Sequence, residues 1–155
     1  MRDVLEIRID DLSGPEIVRF LEDHARDMDS VSPPESNHHL DLEGLKKPEI
    51  TFWTVWDKEL LIGCGALKQL DSSHAEIKSM RTAESVRGKG VASVLLQHLI
   101  SEARRRNYRR LSLETGAMSF FEPAQKLYAK FGFQYCEPFA DYSEDTNSVF
   151  MTLEF

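Results

Sequence analysis

Only two cysteines occur in the 155 residues, Cys64 and Cys136. They lie far apart, with no Cys-x-x-Cys and no Cys/His ligand spacing, so neither a disulfide framework nor a metal site is expected. Reduced, buried thiols in a cytoplasm fit that pattern. Positive charge is also in deficit: 19 Lys and Arg stand against 26 Asp and Glu, a net charge of -7. A chain of that sign repels a phosphate backbone, so neither nucleic acid nor an anionic membrane is an expected partner. No stretch approaches the ~18 consecutive apolar residues of a membrane span, and the opening MRDVLEIRID alternates charge with apolar residues where an export signal has an apolar run. Repeats and low-complexity tracts are missing as well.

The length fits one domain, residues 1–155, because domains usually span ~100–200 residues. Leu5, Ile7 and Ile9 alternate with Glu6, Arg8 and Asp10, the pattern of a strand with one buried face. Ser13 with Glu16 has capping-box spacing and predicts a helix from about Pro15 to Met28. Pro33-Pro34 forbids helix and predicts an extended loop, followed by a short helix around His38 to Lys46. Ile50–Trp56 and Leu60–Leu70, rich in β-branched and aromatic residues around Asp57-Lys58-Glu59, read as an antiparallel hairpin. His74–Thr82 reads as a further strand. Val91, Val94, Leu95, Leu99 and Ala103 share a helix face, Arg110–Thr115 is a strand, and Pro123–Phe131 a helix stopped by Gly132. Closing strands are expected near Phe133–Pro138 and Ser148–Phe155, and the mixture predicts an α/β layer structure.

Arg87-Gly88-Lys89-Gly90-Val91-Ala92 stands between a predicted strand and a predicted helix. Glycines there let the backbone approach an anion, and the first helix amides are unpaired in a field that favours negative charge, which suits a pyrophosphate. A plain glycine turn with two solvated cations fits those six residues equally well. The segment lacks the lysine-hydroxyl pair of a kinase-type phosphate loop and the last glycine of a dinucleotide fingerprint.

Arg-x-x-Gly-x-Ala after a strand and before a helix resembles the coenzyme A pyrophosphate loop of the GNAT superfamily of N-acetyltransferases. In family order, HAEIKSMRT resembles its central strand, LETG its next strand, and AQKLYAKFGF its tyrosine-bearing helix, over roughly Thr51 to Phe155. SPPES, GCGAL and NSVFMTLEF look further like a bacterial acetyltransferase subgroup. The resemblance implies a mixed, mostly antiparallel α/β sheet of about seven strands with about four helices, and acetyl-CoA as cosubstrate. The implied activity is an acyltransferase of the cytoplasm, an N-acetyltransferase that moves the acetyl group to a small acceptor, a primary amine, by direct attack in a ternary complex. A catalytically silent CoA-binding regulatory module is the rival reading.

Site residues follow from the same resemblance. Arg87, Gly88, Lys89, Gly90, Val91 and Ala92 would hold the pyrophosphate, while the backbone of Met80, Arg81 and Thr82 would meet pantetheine. Tyr128 would protonate the leaving thiolate, a role that suits a phenol with an ordinary pKa of about 10; from the chain alone it reads as a core tyrosine. Glu76 occupies the place of a general base, with His74 and Glu114 as rivals and a solvent-facing strand carboxylate as the plain alternative. Where many members carry a pantetheine-binding Asn, this chain has Phe121 and Glu122. His24, His38 and His39 receive no role; Asp29–Asp41 and Phe139–Asn147 are expected to line the acceptor pocket. Cys64 and Cys136 lack a matched histidine, which disfavours an acetyl-cysteine step. Exposed strand edges can pair into a homodimer.

Overall fold

The computed structural model describes residues 5–31 and 42–155, with side chains described for residues 5–23 and 42–155. The elements run β1 Glu6–Ile9, α1 Pro15–Val31, α2 Leu42–Leu45, β2 Ile50–Asp57, β3 Leu60–Gln69 and β4 His74–Thr82. They continue α3 Val91–Arg105, β5 Arg110–Gly116, α4 Glu122–Lys130, β6 Gln134–Cys136 and β7 Ser148–Glu154. One seven-stranded sheet holds the strands of the described residues in the order β1-β2-β3-β4-β5-β7-β6. Every neighbouring pair is antiparallel except β4 and β5. These two run parallel because α3 is the crossover between them, whereas β2 and β3 are joined by a tight turn with Lys58 at φ 58°.

Strand alternation sends successive side chains to opposite faces and builds two cores. On one face Val55, Leu67, Ile77, Leu111 and Met151 pack under Leu95, Leu96 and Leu99 of α3 and Tyr128 of α4. On the other, Phe52, Cys64 and Ala66 pack under Ile17, Phe20 and Leu21 of α1 and Leu45 of α2. Along β4 that second face carries Glu76 and Lys78, in register with Lys68 and Ala66 of β3.

Two local readings change. Ser13 does not cap α1: its hydroxyl donates to Asp11 Oδ1 at 2.6 Å, and the first helical carbonyl is Gly14 O, accepting from Val18 N at 3.4 Å. The acid two residues upstream outcompetes the helix for the hydroxyl. Ile9 is 71% exposed although Leu5 and Ile7 pack on the core, because β1 is an edge strand with a neighbour on one side only. Of the two free thiols, Cys64 is buried but Cys136 is only half-buried, near the opposite edge. No helix among the described residues is long and apolar enough to cross a membrane.

Leu99 is fully buried between α3 and the sheet. Leu99→Ala should lower stability by about 2–5 kcal/mol, lost transfer energy plus a cavity, as read from urea unfolding. A loss below about 1 kcal/mol would mean that α3 is not seated as described.

Candidate functional site

β4 and β5 share a ladder only from His74↔Arg110 to Ile77↔Leu113, although β4 runs on to Thr82 and β5 to Gly116. A bulge explains the parting. The β3–β4 register slips between Cys64 and Ala66, and Ser79 takes φ 55°, a left-handed value unusual for a serine. Cys64 Sγ donates to Ser79 O at 3.3 Å and ties the bulge to β3. β5 instead stays paired with β7 as far as Gly116↔Ser148. Between the two strand ends a cavity of about 760 Å³ opens, bounded also by the first turn of α3 and by α4.

At one end of the cavity lies the start of α3. Gly88 and Gly90 stand at φ 80° and 84°, left-handed conformations that glycine adopts without steric cost. The first bonded amide of the helix is Val94 N, to Gly90 O at 3.1 Å, and among the described residues no side chain caps the amides ahead of it. Val91, Ala92 and Ser93 are thus first-turn donors at the positive end of the helix dipole, and all three line the cavity with Arg87, Gly88 and Gly90. Lys89 departs from this set: its amide is spent on Val86 O at 3.1 Å, its side chain is exposed, and it does not line the cavity. Met80, Arg81 and Thr82 line the cavity from the β4 side.

Tyr128 reaches the cavity from α4. Its ring is buried, edge-on to Phe133 at 5.8 Å. Burial first, and the Glu114 carboxylate second, push its phenol up to about 12. The region where the Asn is replaced is built differently from the resembled pattern. Phe121 packs so closely on Gly116 that a Cβ there would lie 2.1 Å from its ring. Gln125, with no mark in the sequence, donates from Nε2 to Gly116 O at 2.7 Å.

Glu76 is buried at the cavity wall. Its Oε2 accepts from Tyr142 OH at 2.6 Å and from Lys78 Nζ at 3.2 Å, and Lys78 Nζ also donates to Tyr142 OH at 2.9 Å. The plain alternative, a solvent-facing strand carboxylate, is therefore excluded. Glu114 also lines the cavity and accepts from Ser148 Oγ at 2.7 Å. His74 does not line it; its Nε2 is 2.7 Å from Ser112 Oγ, in a chain that continues through Thr152 to Arg110 Nε. Burial and then the Arg110 charge hold the His74 imidazole below its ordinary pKa. His38, His39 and the side chain of His24 lie outside the described residues. Trp53, with its neighbour Val55, belongs to the core.

The sequence profile of the acetyltransferase (GNAT) family matches residues 15–133. The chain belongs to that family. An uncharacterised N-acetyltransferase of Bacillus subtilis, YsnE, is 62% identical over 96% of this chain and 98% of its own length. An IAA acetyltransferase of Azospirillum brasilense is 35% identical over 87% of this chain and 88% of its own. The fold is shared with a GNAT acetyltransferase of Elizabethkingia anophelis whose crystal structure holds acetyl-CoA, with TM-score 0.72, 21% identity, and coverage of 99% of this chain and 100% of that one. An acetyltransferase of Streptococcus agalactiae aligns with TM-score 0.75 and 20% identity over 97% and 98% of the chains.

The raised phenol has a stability consequence with a definite sign. Folding favours protonated Tyr128, so its contribution is complete below the ordinary pKa of 10 and is lost as pH rises towards about 12. Tyr142, shifted up by burial and by Glu76, adds to the same loss. Urea midpoints should fall between pH 10 and 12, less steeply in Tyr128→Phe; an identical slope in the variant would show that the phenol is not raised.

Proposed function

We propose that the chain transfers the acetyl group of acetyl-CoA to a primary amine by direct attack in a ternary complex, with Glu76 as base and Tyr128 as acid. Acetyl-CoA is the cosubstrate of this acetyltransferase. The observation that carries the reading is one cavity bounded by the uncapped turn of α3, by Glu76 and by Tyr128. The amides of Val91, Ala92 and Ser93 with Arg87 suit a pyrophosphate, and the β4 end from Met80 to Thr82, held by β3 on one side and no longer flanked by β5 on the other, suits the amides of pantetheine. A volume of about 760 Å³ suits part of a coenzyme and a small acceptor.

An alkylammonium with a pKa near 10 must lose a proton before its nitrogen can attack. Glu76, through a water, accepts that proton; the nitrogen lone pair forms the C–N bond at the thioester carbonyl. The C–S bond breaks, Tyr128 gives its proton to the departing thiolate, and the second proton that the nitrogen sheds in becoming an amide passes through water to restore the Tyr128 phenol. A phenol whose hydroxyl makes no hydrogen bond to a described residue is available for that transfer. Covalent transfer through cysteine is disfavoured, since burial pushes the Cys64 thiol up to about 12 and its Sγ is engaged with Ser79 O. We take the enzyme to be one domain over residues 1–155, working in a reducing cytoplasm, with its edge strands β1 and β6 open to pairing in a homodimer.

Tyr128→Phe should reduce kcat by about 100-fold or more and leave the acetyl-CoA Kd unchanged, because the lost contact matters only as thiolate charge develops. Gly90→Val should do the reverse, raising that Kd about tenfold through strain at a left-handed position in the phosphate-facing turn. Calorimetry and thiol release with a panel of lysine, spermidine and tyramine read both effects. Wild-type turnover in Tyr128→Phe would remove the phenol from the mechanism.

A further inference from the structure

Two phenols line the cavity, and their hydroxyls are treated differently. Tyr128 OH makes no hydrogen bond to a described residue, whereas Tyr142 OH is committed in both directions, accepting from Lys78 Nζ at 2.9 Å and donating to Glu76 Oε2 at 2.6 Å. Both donors to Glu76 use Oε2, and Oε1 has no hydrogen-bond partner among the described residues. Tyr142 is itself fixed: its amide closes a turn on Phe139 O at 3.0 Å, with Ala140 at φ 52°, and its ring packs on Phe139 and Phe150 at 5.2 and 5.4 Å. A loop between β6 and β7 thus delivers a rigid donor onto a carboxylate of β4, 66 residues away.

We propose that Tyr142 is the positioning residue for Glu76, locking Oε2 through its hydroxyl so that Oε1 is the oxygen turned to the acceptor amine and its water. This rests on Glu76 being the base. A carboxylate free to rotate would divide its time among orientations, and a base is effective only when held within reach of the proton it takes. Lys78 alone cannot supply the orientation, because an ammonium on a flexible stem donates without directional constraint. The charged and titratable groups around Glu76 are Lys78 and His74 on β4, Lys68 on β3, Glu114 and Arg110 on β5, and Tyr142 from the loop. Tyr142→Phe leaves all the others in place and keeps the ring stack.

The test uses the full chain and compares Glu76→Gln with Tyr142→Phe. In Tyr142→Phe kcat with the fastest of lysine, spermidine and tyramine is expected to fall about 10- to 100-fold at unchanged acetyl-CoA KM. A structural role for the ring alone would leave kcat unmoved, because phenylalanine keeps the ring stack. If Glu76→Gln is inactive while Tyr142→Phe keeps the wild-type kcat, the positioning role is overturned and the base stands. If Glu76→Gln itself keeps wild-type turnover, the base assignment and the positioning role both fall.

Discussion

Two parallel strands stop sharing hydrogen bonds halfway along their length, and every other feature of the site is arranged around that gap. β4 is drawn one way by its bulge, which Cys64 pins to β3, while β5 remains laddered to β7 to its last residue. Backbone groups on the facing edges therefore lack the partner that a parallel ladder would supply, and a folded chain does not leave such groups without water or a ligand. The gap thus presents peptide donors and acceptors in strand geometry, open to an extended molecule bearing amides of its own. α3 starts at the mouth of the gap because it is the crossover that makes β4 and β5 parallel in the first place, so its free amides arrive there by topology.

Electrostatics inside the cleft run against the overall charge. A protein of net charge -7 draws no anion by its long-range field, so the proposed diphosphate site relies on local donors: the glycine-flanked turn, Arg87 and the dipole of α3. On the far side of the gap, the Glu76–Lys78 pair is nearly excluded from water. Burying such a pair seldom stabilises a fold relative to apolar residues of similar size. Its place at the cavity wall is where the proposed base is needed. The half-saturated carboxylate, one oxygen engaged and one open, is in keeping with that.

Much of the architecture could be read from local pattern, and the exceptions have physical causes. α3 and α4 show their apolar faces at helical spacing, and Gly88 and Gly90 stand where a turn needs left-handed backbone. The insertion of β7 between β5 and β6 was not legible, because alternation says which face a side chain takes but nothing about which strand it lies beside. Ser13 misled because capping-box spacing takes no notice of an acid at i−2 competing for the hydroxyl. Within the site, the i,i+2 spacing of Glu76 and Lys78 shows that they share a face, but Tyr142 comes from a polar loop with no motif and meets them only through the tertiary fold. Gln125 was hidden likewise, since its acceptor is a backbone carbonyl. Lys89 was the converse: part of a convincing motif, its side chain turned to solvent.

The most direct measurement is backbone amide exchange with and without acetyl-CoA. Strong slowing is expected at Val91, Ala92 and Ser93 and along Met80 to Thr82, with β1 and β2 unchanged. Exchange at those amides unaffected by saturating acetyl-CoA would show that the parted strands and the open helix start do not form the coenzyme site.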